Sequence, residues 1–382
     1  MAGPWCAPDY RGNGFLNLIA SLVEAAGGSP RHAPLAALPP AEIAAAANLV
    51  FVLLDGLGDA VLRANGAGGH LAAHARGAIS AVFPSTTASA ITTSYTGASP
   101  LEHGLTGWFT YFGEAGCVGA PLPFKRRGES RPIPAASAQL FREPPLLDGL
   151  TMRPIVVTER SIANSTYNLH HCGRAERRAY DKLEEFVAEI AAAVRSGPER
   201  KFVYAYWPLF DKLAHEHGVA SAEARRHFAE LDAAFGELLA RLSGTDSVVV
   251  VTADHGFMDS PPDKCLVLAP ELAAMLRFPL CGERRVAFCH VHAPREFLAR
   301  AADWLGSRAE VSESRRLVEE GWFGPGTPHP RLAERIGDVA ILMKDSWTLK
   351  DWVPGESRHL HIGNHGGASE EEMLVPLIVA RA

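Results

Sequence analysis

The chain has 382 residues, 47% of them hydrophobic and 21% charged, enough apolar material for a large core and too much for a disordered polymer. Its 37 basic and 43 acidic residues leave a net charge of −6, which excludes a generally basic binder of nucleic-acid backbones. No apolar run reaches the roughly 18 residues that a membrane-spanning helix needs, so no membrane partner is expected.

Taken in chain order, residues 1–47 read as an N-terminal leader, rich in Ala and Pro over 33–47, with no basic stretch running into an apolar one as a secretory signal would. Three short apolar runs follow at Leu49–Leu54, Phe202–Trp207 and Val248–Thr252. They lack the alternation of half-exposed strands and predict strands buried on both faces, as in a parallel sheet covered by helices. Helices are predicted over Tyr180–Arg195 and Ala222–Leu242. Residues 113–150, with a basic knot at Lys125, Arg126, Arg127 and Arg131, and residues 260–335 fit this core poorly. They read as insertions over one end of the sheet, and the knot as a solvated loop. Six scattered cysteines without a Cys-x-x-Cys pair suit free thiols in a reducing compartment, so a cytoplasmic protein is expected.

Each apolar run leads into an acid: Asp55 in Asp55-Gly56, Asp211 shortly after Trp207, and Asp254 in Asp254-His255-Gly256. Ligands of open α/β sheets sit beyond the carboxyl ends of the strands. Three acids delivered there would repel one another unless a cation lay between them. Asp211 and His215 are four apart, on one face of a helical turn, and His365 lies in a Gly-flanked turn. Mixed carboxylate and imidazole ligands suit zinc, with manganese or iron as alternatives.

The segment Phe83–Gly97 reads as a loop entering a helix that ends at Gly97. A hydroxyl at a helix N-terminus sits where backbone N–H groups can hold a phosphate. Spacing does not choose among Ser85, Thr86, Thr87 and Ser89.

The ordered set Asp55-Gly, Phe83-Pro-Ser-x-Thr87, Pro100-x-x-His103-Gly, Asp211-x-x-x-His215, Asp254-His255-Gly and Gly363-x-His365-Gly resembles the alkaline phosphatase superfamily, and within it the nucleotide pyrophosphatase/phosphodiesterase branch. The resemblance spans residues 48–380 and implies a three-layer α/β/α core sheet with cap insertions. It further implies Thr87 as nucleophile. One metal would be held by Asp211, His215 and His365, the other by Asp55, Thr87, Asp254 and His255. It makes His103 structural. Cleavage of a phosphodiester or pyrophosphate bond would pass through a covalent phosphothreonine, with a small phosphoester, a nucleotide among the candidates, as substrate.

Two positions depart from the branch. Trp108 stands where many members carry an Asn that donates to a phosphoryl oxygen, and Ala88 replaces one aromatic of the base clamp, leaving Tyr206 as the other half. Trp108 and Tyr206 are the expected substrate contacts. A phosphomonoesterase, mutase or phosphonate hydrolase on the same core is the alternative enzyme, and a silent metal-binding module the alternative outside enzymes. Cys289-His290-Val-His292 reads as a structural strand, and Cys6-Ala-Pro-Asp-Tyr10 lacks the Arg of a sulfatase motif.

Overall fold

A computed structural model describes residues 5–382; the first four residues of the expected leader lie outside the described residues. Its centre is a seven-stranded sheet. Across the sheet the strands run Ala75–Ser80, Leu374–Arg381, Ser247–Thr252, Asn48–Leu54, Lys201–Trp207, Arg153–Glu159 and Glu176–Tyr180. The Asn48 strand pairs in parallel with both neighbours, and the parallel ladder continues to the Glu176 edge. Only Leu374–Arg381 runs antiparallel to the strands beside it. The three apolar runs are therefore the three central strands, each one residue longer at its start than the hydrophobic stretch.

The helices form two layers, and side chains three apart on one strand show it. Tyr204 stacks on Tyr95 of the helix Thr87–Thr96, with centroids 4.6 Å apart. Trp207 points the opposite way, as an odd spacing on a strand requires, and its indole donates to His227 of the helix Ala222–Leu242 at 2.9 Å.

Three expectations need correction. Residues 1–47 are not a leader apart from the domain that starts at 48: the helix Phe15–Ala25 is buried along nearly its whole length, and Phe15, Leu18, Ile19 and Leu22 join the main core. Its apolar residues recur on every side of the helix, so it needs cover all round. The helix expected from Tyr180 begins at Leu183, because Tyr180 closes the edge strand Glu176–Tyr180, whose charged residues hide it from a search for apolar runs. The second insertion also continues past 335. Strand Val339–Met343 pairs between Val286–Cys289 and Ala309–Glu313, and helix Pro294–Leu305 packs its Phe297 and Leu305 into a separate small core there.

The first insertion begins ahead of 113, at Phe109, and opens with a small sheet, Thr110–Phe112, Cys117–Ala120 and Lys125–Arg126. The two insertions clasp each other through backbone bonds in both directions between Phe109 and Gly282, at 3.3 and 2.7 Å. That clasp stands beside the carboxyl ends of the central strands. Among the described residues no helix is long and apolar enough to cross a membrane.

Candidate active site

Parallel pairing brings the three acids together. Leu53 lies level with Thr252, and Leu54 with Trp207, so the chain leaves all three strands at one edge. The Asp55 amide continues the ladder by donating to the Trp207 carbonyl at 2.9 Å. Asp211 sits in the first turn of the helix Leu209–His217, with His215 one turn on. His365 arrives from the turn just before the antiparallel strand.

All seven residues expected to hold metal converge. His255 Nε2 lies 3.5 Å from Asp55 Oδ1, 3.5 Å from Asp254 Oδ2 and 4.0 Å from Asp211 Oδ1. His215 Nε2 is 3.4 Å from Asp211 Oδ1, and His365 Nε2 is 3.7 Å from the same oxygen. Ligand atoms of Asp55, Asp254 and His255 form one compact group, and those of Asp211, His255 and His365 another.

The backbone aims the imidazoles. Nδ1 of His215 donates to the Gly363 carbonyl at 2.9 Å, that of His255 to Gly256 at 3.0 Å, and that of His365 to Ser85 at 3.2 Å. A carbonyl only accepts, so each proton sits on Nδ1 and each Nε2 offers a lone pair to the cluster. Burial lowers the His215 ring to about 4 and holds His365 well below the usual range, so both are neutral near pH 7. The lone pairs of His215 and His365 then face each other across 3.2 Å.

Asp55 Oδ1, Asp211 Oδ1 and Asp254 Oδ2 are buried and have no hydrogen-bond partner among the described residues. Burial, followed by the charges of Asp254 and Asp211, pushes the Asp55 carboxyl well above the ordinary range. Burial and Asp254 do the same to Asp211. Carboxylates that each leave one oxygen unpartnered, beside opposed imidazole lone pairs, form a donor set that fits divalent cations.

The four competing hydroxyls separate in space. Ser85 donates to the Gly367 carbonyl at 2.8 Å, Thr86 to Glu283 at 2.5 Å, and Ser89 to the Leu105 carbonyl at 2.9 Å. Thr87 faces the cluster, 3.2 Å from His255 Nε2, in the first turn of its helix. Gly97 closes that helix in the left-handed conformation, φ 66°, as its place in the sequence anticipates. His103 lies outside the cluster, with Nε2 3.2 Å from Thr93 Oγ1 and Nδ1 accepting from the Leu105 amide.

A cavity of about 710 Å³ opens from Thr87, His215 and His365 toward the two insertions. Trp108 lines it, 38% exposed. The neighbouring aromatics divide: Phe112 is core, Tyr111 stacks on Phe278 with centroids 4.2 Å apart, and Phe109 lies 4.4 Å beneath the Arg127 guanidinium. Tyr206 does not reach the cavity wall. Its hydroxyl donates to Asp55 Oδ2, so it holds a candidate metal ligand where a stacking face was expected.

Arg127 also departs from the solvated loop. It is buried, bonded to Glu356 at 2.7 Å, to Asp351 at 2.6 Å and to the Leu280 carbonyl at 2.6 Å. Sequence reasoning missed Glu283 and Arg284 altogether. Burial raises the Glu283 carboxyl to about 7, and it accepts from Thr86 and from the Trp108 amide at 2.6 Å. Nothing in Cys281-Gly-Glu-Arg-Arg signals a site; only the clasp between the insertions carries it there.

Comparison with known proteins bears on the fold and the family. No curated protein sequence matches the chain at a significant level. Among solved structures, murine ectonucleotide pyrophosphatase/phosphodiesterase 5 superposes with a TM-score of 0.65 at 15% identity, over 86% of this chain and 87% of that one. Its human counterpart gives 0.66 at 15%, over 87% of each chain. Phosphonoacetate hydrolase from Sinorhizobium meliloti 1021, bound to phosphonoformate, gives 0.63 at 18%, over 86% and 89%. At such identities the likeness establishes the shared fold. The sequence model for type I phosphodiesterase/nucleotide pyrophosphatase matches residues 49–368, which covers most of the chain and every motif of the site. The chain belongs to the type I phosphodiesterase/nucleotide pyrophosphatase family.

Proposed function

We propose that this protein is a two-metal hydrolase of phosphodiester or pyrophosphate bonds that works through a phosphothreonine at Thr87. The observation that carries the reading is the isolation of the Thr87 hydroxyl. Of the four hydroxyls in its loop, it is the one turned toward the buried carboxylate oxygens that lack a partner.

Two divalent cations, read as zinc from the mixed carboxylate and imidazole donors, would be held by Asp211, His215 and His365 and by Asp55, Thr87, Asp254 and His255, and would supply charge against the phosphoryl oxygens and lower the pKa of the hydroxyl. The N-terminal turn of Thr87–Thr96 directs backbone N–H groups at the same oxygens. Thr87 Oγ1 attacks phosphorus in line, the bond to the leaving oxygen breaks, and the phosphoryl group rests on Thr87. Water then attacks that phosphorus and returns the free hydroxyl.

Trp108 supports the reading as the exposed aromatic of the cavity, placed to cover an apolar part of the substrate. A cytoplasmic location belongs to the same proposal, supported by six free thiols. The test is the ratio of kcat/KM for an aryl phosphodiester to that for the matching monoester, on metal-reconstituted protein. A ratio well above one is expected. A ratio well below one moves the protein to the monoesterases or mutases, and no turnover with full metal content makes it a silent metal-binding module.

A further inference from the structure

The cavity above Thr87 carries two cationic side chains, Arg284 and Lys350, that none of its acids bonds. Glu356 and Asp351 are both taken up by Arg127, which Glu356 meets at 2.7 Å and 3.1 Å and Asp351 at 2.6 Å. Asp351 also accepts the Leu280 amide at 2.8 Å. Glu283 is occupied by Thr86 and the Trp108 amide. Arg284 and Lys350 line the same cavity and are not matched in this way.

Among the described residues the Arg284 guanidinium meets no hydrogen-bond acceptor and no carboxylate within ion-pair distance, and its Nη1 is buried. Lys350 Nζ rests over the Trp352 ring, 3.8 Å from its centroid. Leaving a buried guanidinium nitrogen without an acceptor is costly, and water, an ion or a ligand supplies the missing acceptor; at Arg284 that acceptor would lie in the cavity above Thr87. Its place is close to the reaction. Arg284 follows Glu283, which holds Thr86, which precedes Thr87. Its charge also reaches the His215 and His361 rings, adding to the lowering that burial causes in both.

We propose that the substrate carries a second anionic group, a carboxylate or a phosphate, on the arm beyond the reacting phosphoryl, and that Arg284 with Lys350 binds it. The inference rests on the Thr87 cluster being the phosphoryl site. A planar guanidinium can grip either anion through two parallel N–H bonds. The arm runs from the cluster to the insertion wall inside one cavity, as in a small bifunctional phosphoester or a polyphosphate. An aromatic or apolar part of the same arm would meet Trp108.

The test is calorimetric binding to metal-loaded protein of three ligands that undergo no turnover: propylphosphonate, 3-phosphonopropionate and propane-1,3-diphosphonate. Charge-assisted hydrogen bonds of this kind predict that the second anion tightens binding by about tenfold or more over propylphosphonate. The stronger of the two doubly anionic ligands identifies carboxylate or phosphate as the natural partner. In Arg284→Gln the ratio between doubly and singly anionic ligands falls toward one, while Arg284→Lys keeps part of it. Equal binding of all three ligands by the unmodified protein, or an unchanged ratio in Arg284→Gln, overturns the inference and leaves the phosphoryl site standing. Failure of all three to bind overturns the phosphoryl site and the inference with it.

Discussion

The hydroxyl of Tyr206 donates to Oδ2 of Asp55, joining the ends of two neighbouring parallel strands beneath the candidate metal cluster. Tyr206 shares a strand face with Tyr204, whose hydroxyl lies 2.9 Å from Ser94 Oγ on the helix Thr87–Thr96. One strand thus braces both the acid and the helix that presents Thr87. Partners that orient metal ligands commonly contribute 10–100-fold in affinity. Tyr206→Phe is therefore expected to weaken metal binding by about tenfold with little change in folding. Unaltered metal affinity in a competition titration would remove this role from Tyr206.

The hydroxyls of Thr86 and Thr87 make opposite predictions. Thr87→Ala should reduce kcat by about a thousandfold or more, as loss of a nucleophile does, while carboxylates and imidazoles continue to hold metal. Thr86→Val breaks only the bond to Glu283 and should cost far less. Full turnover by Thr87→Ala, measured alongside its metal content, would shift the chemistry to another residue.

Asp55 and Asp211 link metal to pH. Their raised values in the folded chain contribute stability that is whole below about 3.9, the unfolded value for Asp, and is lost as pH rises through the folded values. Metal-stripped protein therefore carries growing repulsion in the cluster as pH climbs toward neutrality. Added zinc displaces the remaining protons and neutralises that charge. The gain in Tm on adding zinc should be larger at pH 8 than at pH 6. Equal gains at both would mean that these acids do not carry the metal.

Arg285 and Glu372 form an ion pair in which both side chains are fully buried, with Nη2 to Oε2 at 3.0 Å and Nε to Oε1 at 3.1 Å. Glu372 also accepts the Gly367 amide at 2.8 Å, so the pair ties the His365 turn to the second insertion. Burial alone would raise the Glu372 carboxyl; Arg285 and the donors around it hold it below its ordinary value. Removing one partner of a buried pair strands the other charge at a cost of about 3–5 kcal/mol. Arg285→Leu should lose that much in urea unfolding and release metal from the His365 side. A loss below about 1 kcal/mol would class the pair with exposed ones.

Glu283 adds negative charge to the cavity that Thr87 lines once it ionises, and burial raises its carboxyl to about 7. Glu283→Gln should therefore tighten binding of anionic phosphonates at pH 8 by several-fold and change it little at pH 6. An equal effect at both pH values would show that shape rather than charge matters at this position.

The sequence by itself determined the sheet centre and the gathering of three acids at its edge. A strand buried on both faces has no polar side, so its run is unbroken and readable, and an acid at its carboxyl end stands out. Because parallel neighbours share an exit edge, the placement of Asp55, Asp211 and Asp254 followed from those runs alone. The choice among hydroxyls did not, since Ser85, Thr86, Thr87 and Ser89 lie within five positions and differ only in what each meets. Thr86 meets Glu283 from 197 residues away, and Ser85 meets Gly367 from 282. The buried N-terminal helix, the charged edge strand, the bond from Tyr206 to Asp55 and the cationic wall at Arg284 are of the same kind. Local pattern records which face of an element is apolar, whereas these features depend on which distant surface the fold brings against it, and only the packed insertions and sheet decide that.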